Sequence, residues 1–396
     1  MSEFAFSQGV RRVPSGIIVV LVLVLTALAV VQWRVVRRWP SRPARIAGTA
    51  GVGLAAVLTP AAFVGLLAGA GYIDPDRVRW ISAVGLTWLA TVFYLLLTLL
   101  VLGVLWVLTR LVRLARPGFD GAPLLRVVAV VGAVAAVGTT LYGLVEAATP
   151  RVTHTQVKLA SMPSVLGTVR VALITDIHAG PVRTRAFVQD VVDRTNAEQP
   201  DLVILGGDLI DGTVARIGDD LTPLRQLRAP MGVLAVTGNH EYYAGDAVNW
   251  VQRWRDVGVR PLTNGSVRLW RDGANGGAAI TVVGVNDRKG SPPLAADYDA
   301  AFHGVQRSEF VLAVAHEPLQ GREFAERGAA LQLAGHTHGG QLWPFRYFVT
   351  LQQPAVAGLE QVDGMPVYTS RGAGAWGPPV RVASPPEIAI LELSAA

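Results

Sequence analysis

The sequence predicts an α/β domain with a buried sheet core, preceded by an all-α bundle of membrane-spanning helices. Two observations predict this architecture. Long uncharged apolar runs fill residues 1–150, whereas residues 151–396 alternate short apolar runs with amphipathic segments. A third observation bears on function: several of the short runs end in residues able to bind a metal ion. The composition suits a mixed chain, with 51% hydrophobic and only 16% charged residues.

In residues 1–150, the runs Gly16–Trp33, Ile46–Ile73, Trp80–Thr109 and Val127–Val145 contain no charged side chain. Each has the length of a helix that crosses a hydrocarbon core, about 18 residues or more. None shows the polar face of a soluble helix. The first follows Arg11-Arg12 and contains Ala27-Leu28-Ala29, as a cleaved signal peptide would. It continues to Trp33, however, and three more runs follow, so it reads as a retained span. Arg34, Arg37, Arg38, Arg42 and Arg45 separate the first two runs, and Arg110, Arg113, Arg116 and Arg126 separate the last two. The middle loop holds only Arg77 and Arg79, and the N-terminal tail only Arg11 and Arg12. Arginine-rich loops stay in the cytoplasm. The expectation is therefore a multi-pass protein of the cell membrane whose residues beyond Val145 lie outside the cytoplasm. No Asp, Glu, Lys, Arg or His lies within the runs, which argues against a transport path and for an anchor.

Charge is divided in the same way. Residues 1–150 carry 13 Arg or Lys against 5 Asp or Glu, a balance of +8; residues 151–396 carry 22 against 24, a balance of −2. The basic excess thus belongs to the membrane region, and no nucleic-acid partner is expected. There is no cysteine, so a metal site must use His, Asp, Asn and Glu.

From Arg151 onward, VRVALIT, DLVILGG, GVLAVTG, AITVVGV, EFVLAVA, ALQLAG, PVYTS and EIAILEL read as strands. AFVQDVVDRTNAEQ and NWVQRWRDVG read as helices between them. That many strands predicts two sheets, and the change from bundle to domain falls within about residues 146–168. Five strands run straight into polar residues: ALITDIH, VILGGD, LAVTGNHE, LAVAHEP and LQLAGHTH. Residues at strand ends converge on one sheet edge, where loops are free to build a site. Gly206, Gly207, Gly238 and Gly335 beside them permit tight turns. Asp176, His178, Asp208, Asn239, His240, Glu241, His316, His336 and His338 therefore form the candidate constellation, while His154 and His303 fall outside it and read as surface residues. A lone strand-end histidine is usually structural, but no requirement of folding places polar ligands after five separate apolar strands.

In order, TDIH, GGDLID, TGNHEYY, AHEP and AGHTHGGQLW resemble the motifs of the calcineurin-like metallophosphoesterase superfamily. The Gly-Gly-Gln after the histidine pair, with the later SRGAG, PPVRV and PPEIAILEL, resembles its bacterial YkuE/YaeI-like branch. The resemblance covers residues 165–396 and leaves the membrane region outside it. It implies a four-layer αββα sandwich holding two divalent ions, with Mn favoured over Zn or Fe. By motif position, Asp176, His178 and His338 would bind one ion and Asn239, His316 and His336 the other, with Asp208 bridging. A hydroxide between the ions would attack phosphorus. His240 would act on the leaving oxygen or the phosphoryl group, and Glu241 would orient it. Asp211 is left as an outer carboxylate or a turn residue.

The function expected is a membrane-anchored phosphoesterase acting on a phosphomonoester, phosphodiester or pyrophosphate, with a phosphorylated small molecule or a lipid as partner. The alternative is a non-catalytic membrane sensor or scaffold that keeps the fold; loss of ligands would mark it, and every motif position is filled. Trp343, Phe345, Tyr347 and Phe348 follow the histidine pair and read either as packed, loop-anchoring aromatics or as the border of an apolar groove.

Overall fold

The computed structural model describes Val30, residues 41–271 and residues 278–396. The predicted run Gly16–Trp33 lies, apart from Val30, outside the described residues. The other three runs are helices: α1 (Arg42–Gly69), α2 (Pro75–Ala115) and α3 (Ala122–Glu146). Each is long and apolar enough to cross a membrane, and few of its side chains are buried by protein. Their starts follow local chemistry. Ser41 caps α1 and Asp74 caps α2 through side-chain oxygens, and proline occupies the first turn of all three. Small residues let α1 and α2 pack closely, since a Cβ at Gly85 would strike the backbone of Ala61 and Ala62. Trp88 Nε1 donates to Thr59 Oγ1 (3.1 Å) between α1 and α2, and Thr91 Oγ1 to Thr140 Oγ1 (3.2 Å) between α2 and α3.

The remaining chain forms two six-stranded sheets. The first runs in the order β1 (Arg151–Leu159), β12 (Glu387–Ala395), β2 (Val169–Ile174), β3 (Leu202–Leu205), β4 (Val233–Ala235) and β5 (Arg260–Pro261). The second runs β10 (Gly358–Val362), β11 (Met365–Thr369), β9 (Leu331–Ala334), β8 (Val311–Val314), β7 (Ala279–Gly284) and β6 (Gly265–Trp270). Their facing sides share one core, in which Val171, Leu173 and Ile204 meet Ile280, Leu312 and Leu333. Helices α4 (Arg185–Ala197) and α7 (Ala247–Asp256) cover the outer face of the first sheet, and α9 (Gly321–Glu326) that of the second. The architecture is the four-layer αββα sandwich that the resemblance implied.

β2, β3 and β4 are mutually parallel, as are β8 and β9. Their C-terminal ends therefore open on one edge of the sandwich. The membrane helices end close to this edge. Arg79 of α2 donates to Gly180 O (2.8 Å) and pairs with Asp220 (3.1 Å), while Arg183 Nη2 donates to Ala147 O (2.7 Å) just after α3. The Arg381 backbone N–H donates to Gly143 O (2.9 Å) within α3.

Candidate metal centre

Each ligand candidate is held just past a buried strand. Asp176 and His178 follow β2, Asp208 follows β3, Asn239 follows β4, His316 follows β8, and His336 and His338 follow β9. The backbone there is bent sharply. Asp176, His178, Asp208, His336 and His338 have φ of 54°, 50°, 53°, 71° and 52°, the left-handed region that costs an ordinary residue energy. Five such residues at the ends of three strands turn their side chains back towards a common centre. Two glycines make room: a Cβ at Gly238 would collide with the Asp208 carboxylate, and one at Gly335 with that of Asp176.

The side chains gather in three overlapping groups. Asp176, His178 and His338 form one, His178, Asp208 and His240 a second, and Asp208, His316 and His336 a third, with ligand atoms within 4.8 Å of one another in each. His338 Nε2 lies 3.2 Å from Asp176 Oδ1 and 3.1 Å from His178 Nε2. His316 Nε2 lies 3.1 Å from Asp208 Oδ2, and His336 Nδ1 lies 2.9 Å from Asn239 Oδ1. Asp208 joins the groups, since its Oδ2 is also 4.0 Å from His178 Nε2.

The donor set fits two divalent cations. His316 donates its Nδ1–H to Gly206 O (2.8 Å), which leaves Nε2 buried with no hydrogen-bond partner. Burial opposes a charged His316 ring, yet the adjacent Asp208 raises its pKa well above the ordinary value: the buried carboxylate calls for a positive charge there. Burial and the neighbouring Arg381, whose Nη2 is 2.9 Å from Nδ1, hold the His338 pKa well below the usual value, keeping that ring neutral as a ligand must be.

His240 stands beside this cluster on α6 (His240–Tyr243), its Nε2 4.0 Å from Asp208 Oδ2. Its partner differs from the one expected. Asp211 Oδ1 accepts from His240 Nδ1 (2.5 Å) and from His178 Nδ1 (3.1 Å). Burial opposes the His240 cation, but Asp208 and Asp211 outweigh it and raise the pKa to about 9. Glu241 faces the other way. Its carboxylate accepts from the backbone N–H groups of Asp208 (3.1 Å), Leu209 (2.9 Å) and Gly238 (2.7 Å). The expectation that Glu241 orients His240 is thus corrected: Glu241 ties the β3 and β4 loops together, and Asp211 orients the ring. Burial, reinforced by Asp208, raises the Glu241 pKa to about 7.

Three further residues were not singled out from sequence. Arg381 is fully buried and donates to the carbonyls of His338 (2.7 Å) and Gly374 (3.0 Å), clamping the loops after β9 and β11. Asp287 follows β7 and is fully buried, with Oδ2 unpartnered; burial raises its pKa to about 7. Its signal was present, because AITVVGV is a sixth strand that runs into polar residues. Arg183 lines a cleft of about 150 Å³ together with His178, Asp211 and His240. Trp343, Phe345, Tyr347 and Phe348 are not core residues; all four are exposed. His154 is half exposed and pairs with Glu198 at 3.4 Å.

The family model described as calcineurin-like phosphoesterase matches residues 169–340. A transmembrane protein with metallophosphoesterase domain from Danio rerio is 32% identical over 264 residues, covering 65% of this chain and 60% of that protein. An uncharacterised metallophosphoesterase from Helicobacter pylori (strain J99) is 34% identical over 251 residues, covering 62% of this chain and 64% of that one. The uncharacterised metallophosphoesterase YkuE from Bacillus subtilis is 27% identical over 267 residues, covering 64% and 89% respectively. The chain therefore spans less than two thirds of the length of the first two relatives.

Proposed function

Because residues 169–340 match the calcineurin-like phosphoesterase model, we propose that this protein is a membrane-anchored metallophosphoesterase working with two divalent cations. The observation that carries the reading is the position of Asp208, whose Oδ2 faces both His316 Nε2 (3.1 Å) and His178 Nε2 (4.0 Å) and so stands between the two ligand sets. Asp176, His178 and His338 would hold one cation and Asn239, His316 and His336 the other. When bound, two such ions supply Lewis-acid charge to a phosphoryl group and a nucleophile at neutral pH, and Mn suits this donor set.

The chain's own residues supply the rest. His240, held as a cation by Asp208 and Asp211, stands beside the cluster and protonates the leaving oxygen as the P–O bond breaks. The oxygen of water ends on phosphorus. Asp211 fixes the rings of His178 and His240 with one oxygen. The substrate is a phosphomonoester, phosphodiester or pyrophosphate, and a lipid- or envelope-linked one suits a membrane protein whose domain lies outside the cytoplasm. A non-catalytic scaffold would have no use for a complete ligand set.

The test is a panel of a generic phosphodiester, a monoester and a lipid pyrophosphate, given to the full chain with added Mn. We expect hydrolysis that is abolished by chelation and restored by metal. Asp208→Ala should lose both ions by metal analysis, not one. Turnover indifferent to chelation or to this substitution would sink the dinuclear reading.

A further inference from the structure

The cleft beside His240 has two unlike walls. One is catalytic, with His178, Asp211 and His240; the other is Gly65, Leu66 and Gly69 of α1 with Leu86 of α2. Membrane helices thus form part of the site. Their contribution is wholly apolar: Gly65 of α1 receives the Leu86 side chain of α2, and Leu66 and Gly69, further along α1, face the cleft beside it. A Cβ at Gly69 would stand in van der Waals contact with Asp211 Cβ (3.7 Å) and Pro181 Cγ (3.9 Å), so α1 abuts the residue that fixes the His240 ring.

Charge inside the cleft is complementary to an anion. Arg183 is buried and lies over the Phe187 ring, with its Nε unpartnered. It forms no ion pair among the described residues; its guanidinium donates to Ala147 O (2.7 Å). Burial lowers its pKa only to about 10, so it stays cationic at neutral pH.

The outer rim is aromatic. Trp376, 6.4 Å from the His240 ring, is 52% exposed. Trp343, Tyr347, Phe348 and Leu351 are exposed on a neighbouring segment, which packs Phe345 on Phe93 of α2 at 6.5 Å. Phe93 lies about 21 Å along α2 from Arg79, well inside the apolar part of that helix. This segment therefore lies against the apolar part of α2, and exposed Trp and Tyr rings are the side chains that favour a membrane–water interface.

We propose that the substrate is an acyl-chain phosphoester of the membrane leaflet: its phosphoryl group enters the metal cluster past Arg183, and its chain lies on Leu66, Gly69 and Leu86. This rests on the phosphoesterase reading above. A water-soluble phosphoester would leave the helix wall unused.

The full chain in phosphatidylcholine vesicles with Mn should be given dioleoyl phosphatidic acid and dioleoyl phosphatidylglycerol, each beside its chainless counterpart, glycerol 3-phosphate or glycerophosphoglycerol. For at least one pair, kcat/KM should favour the lipid by at least about tenfold, the effect of burying one or two methylenes. Gly69→Leu crowds the helix wall of the cleft, and the lipid-to-chainless ratio should fall at least about tenfold. A second readout needs no turnover. With Trp376 replaced by p-benzoylphenylalanine, light should crosslink labelled phosphatidic acid or phosphatidylglycerol in preference to phosphatidylcholine, and Gly69→Leu should suppress the capture. Equal turnover within both pairs, an unchanged ratio in Gly69→Leu, or capture indifferent to headgroup would each overturn the proposal. Bis(p-nitrophenyl) phosphate separates the two failures: if it is cleaved while lipids gain nothing, only this inference falls, and if no phosphoester is cleaved, both fall.

Discussion

One oxygen of Asp211 accepts from two rings, so its removal should be felt in two places. Asp211→Asn leaves the shape nearly unchanged but takes away the charge that helps hold His240 protonated and a partner of ligand His178. Without cations the His240 pKa is raised to about 9; bound divalent ions push it lower by repulsion. A general acid works only while protonated, so activity falls as pH rises through that value. We expect the alkaline limb of kcat/KM below pH 9 in the parent protein and lower still in Asp211→Asn. kcat/KM should drop about 10- to 100-fold, the usual cost of losing a residue that positions a ligand. A pH–rate profile with metal analysis checks it; an unmoved limb would assign the acid to another group. At this scale the sequence was legible where residue type limits the chemistry. The histidines stood out because few side chains bind metal. Asp211, Glu241 and Arg381 were not resolved, because a carboxylate or guanidinium takes its role from the atom it faces, and that depends on how loops from different strands come together.

The strand-end loops hold their residues in conformations that ordinary side chains resist, and the space is made by glycines. Gly238→Ala should therefore act on the metal centre and not only on stability. The new Cβ would push on the Asp208 carboxylate, the group shared by both ligand sets. Displacement of this kind costs about 1–3 kcal/mol, so metal affinity should fall about tenfold or more. Metal titration monitored by calorimetry measures this; unchanged affinity would show that the β4 loop gives way freely. The same elements explain what of the fold could be read beforehand. All eight predicted strands are present, and the four others, β1, β5, β6 and β10, are the outer strands of the two sheets. An inner strand is buried on both faces and reads as an unbroken apolar run. An edge strand such as RVTHTQVKL is exposed along much of its length and carries polar residues, so it resembles a loop.

At the scale of the whole molecule, the bundle and the domain meet at one end. The C-terminus of α1, the N-terminus of α2 and the C-terminus of α3 all approach the catalytic loops. This sorts the arginines of the described helices and their loops by position. Arg77 and Arg79 are at the domain end, and both are paired, Arg77 with Asp74 and Arg79 with Asp76 and Asp220. Arg42, Arg45, Arg110, Arg113, Arg116 and Arg126 are at the far end. With the arginine-rich end retained in the cytoplasm on insertion, the metal centre would lie on the opposite side of the membrane. The chain has no cysteine, so single cysteines report position without interference. Ser291→Cys, exposed on the domain, should react with an impermeant maleimide in intact cells. Phe119→Cys, in the loop between α2 and α3, should react only after lysis. The reverse pattern would put the metal centre in the cytoplasm. The acyl-chain substrate would then be drawn from the inner leaflet, because the cleft stays at the domain end of the helices whichever way the bundle is inserted.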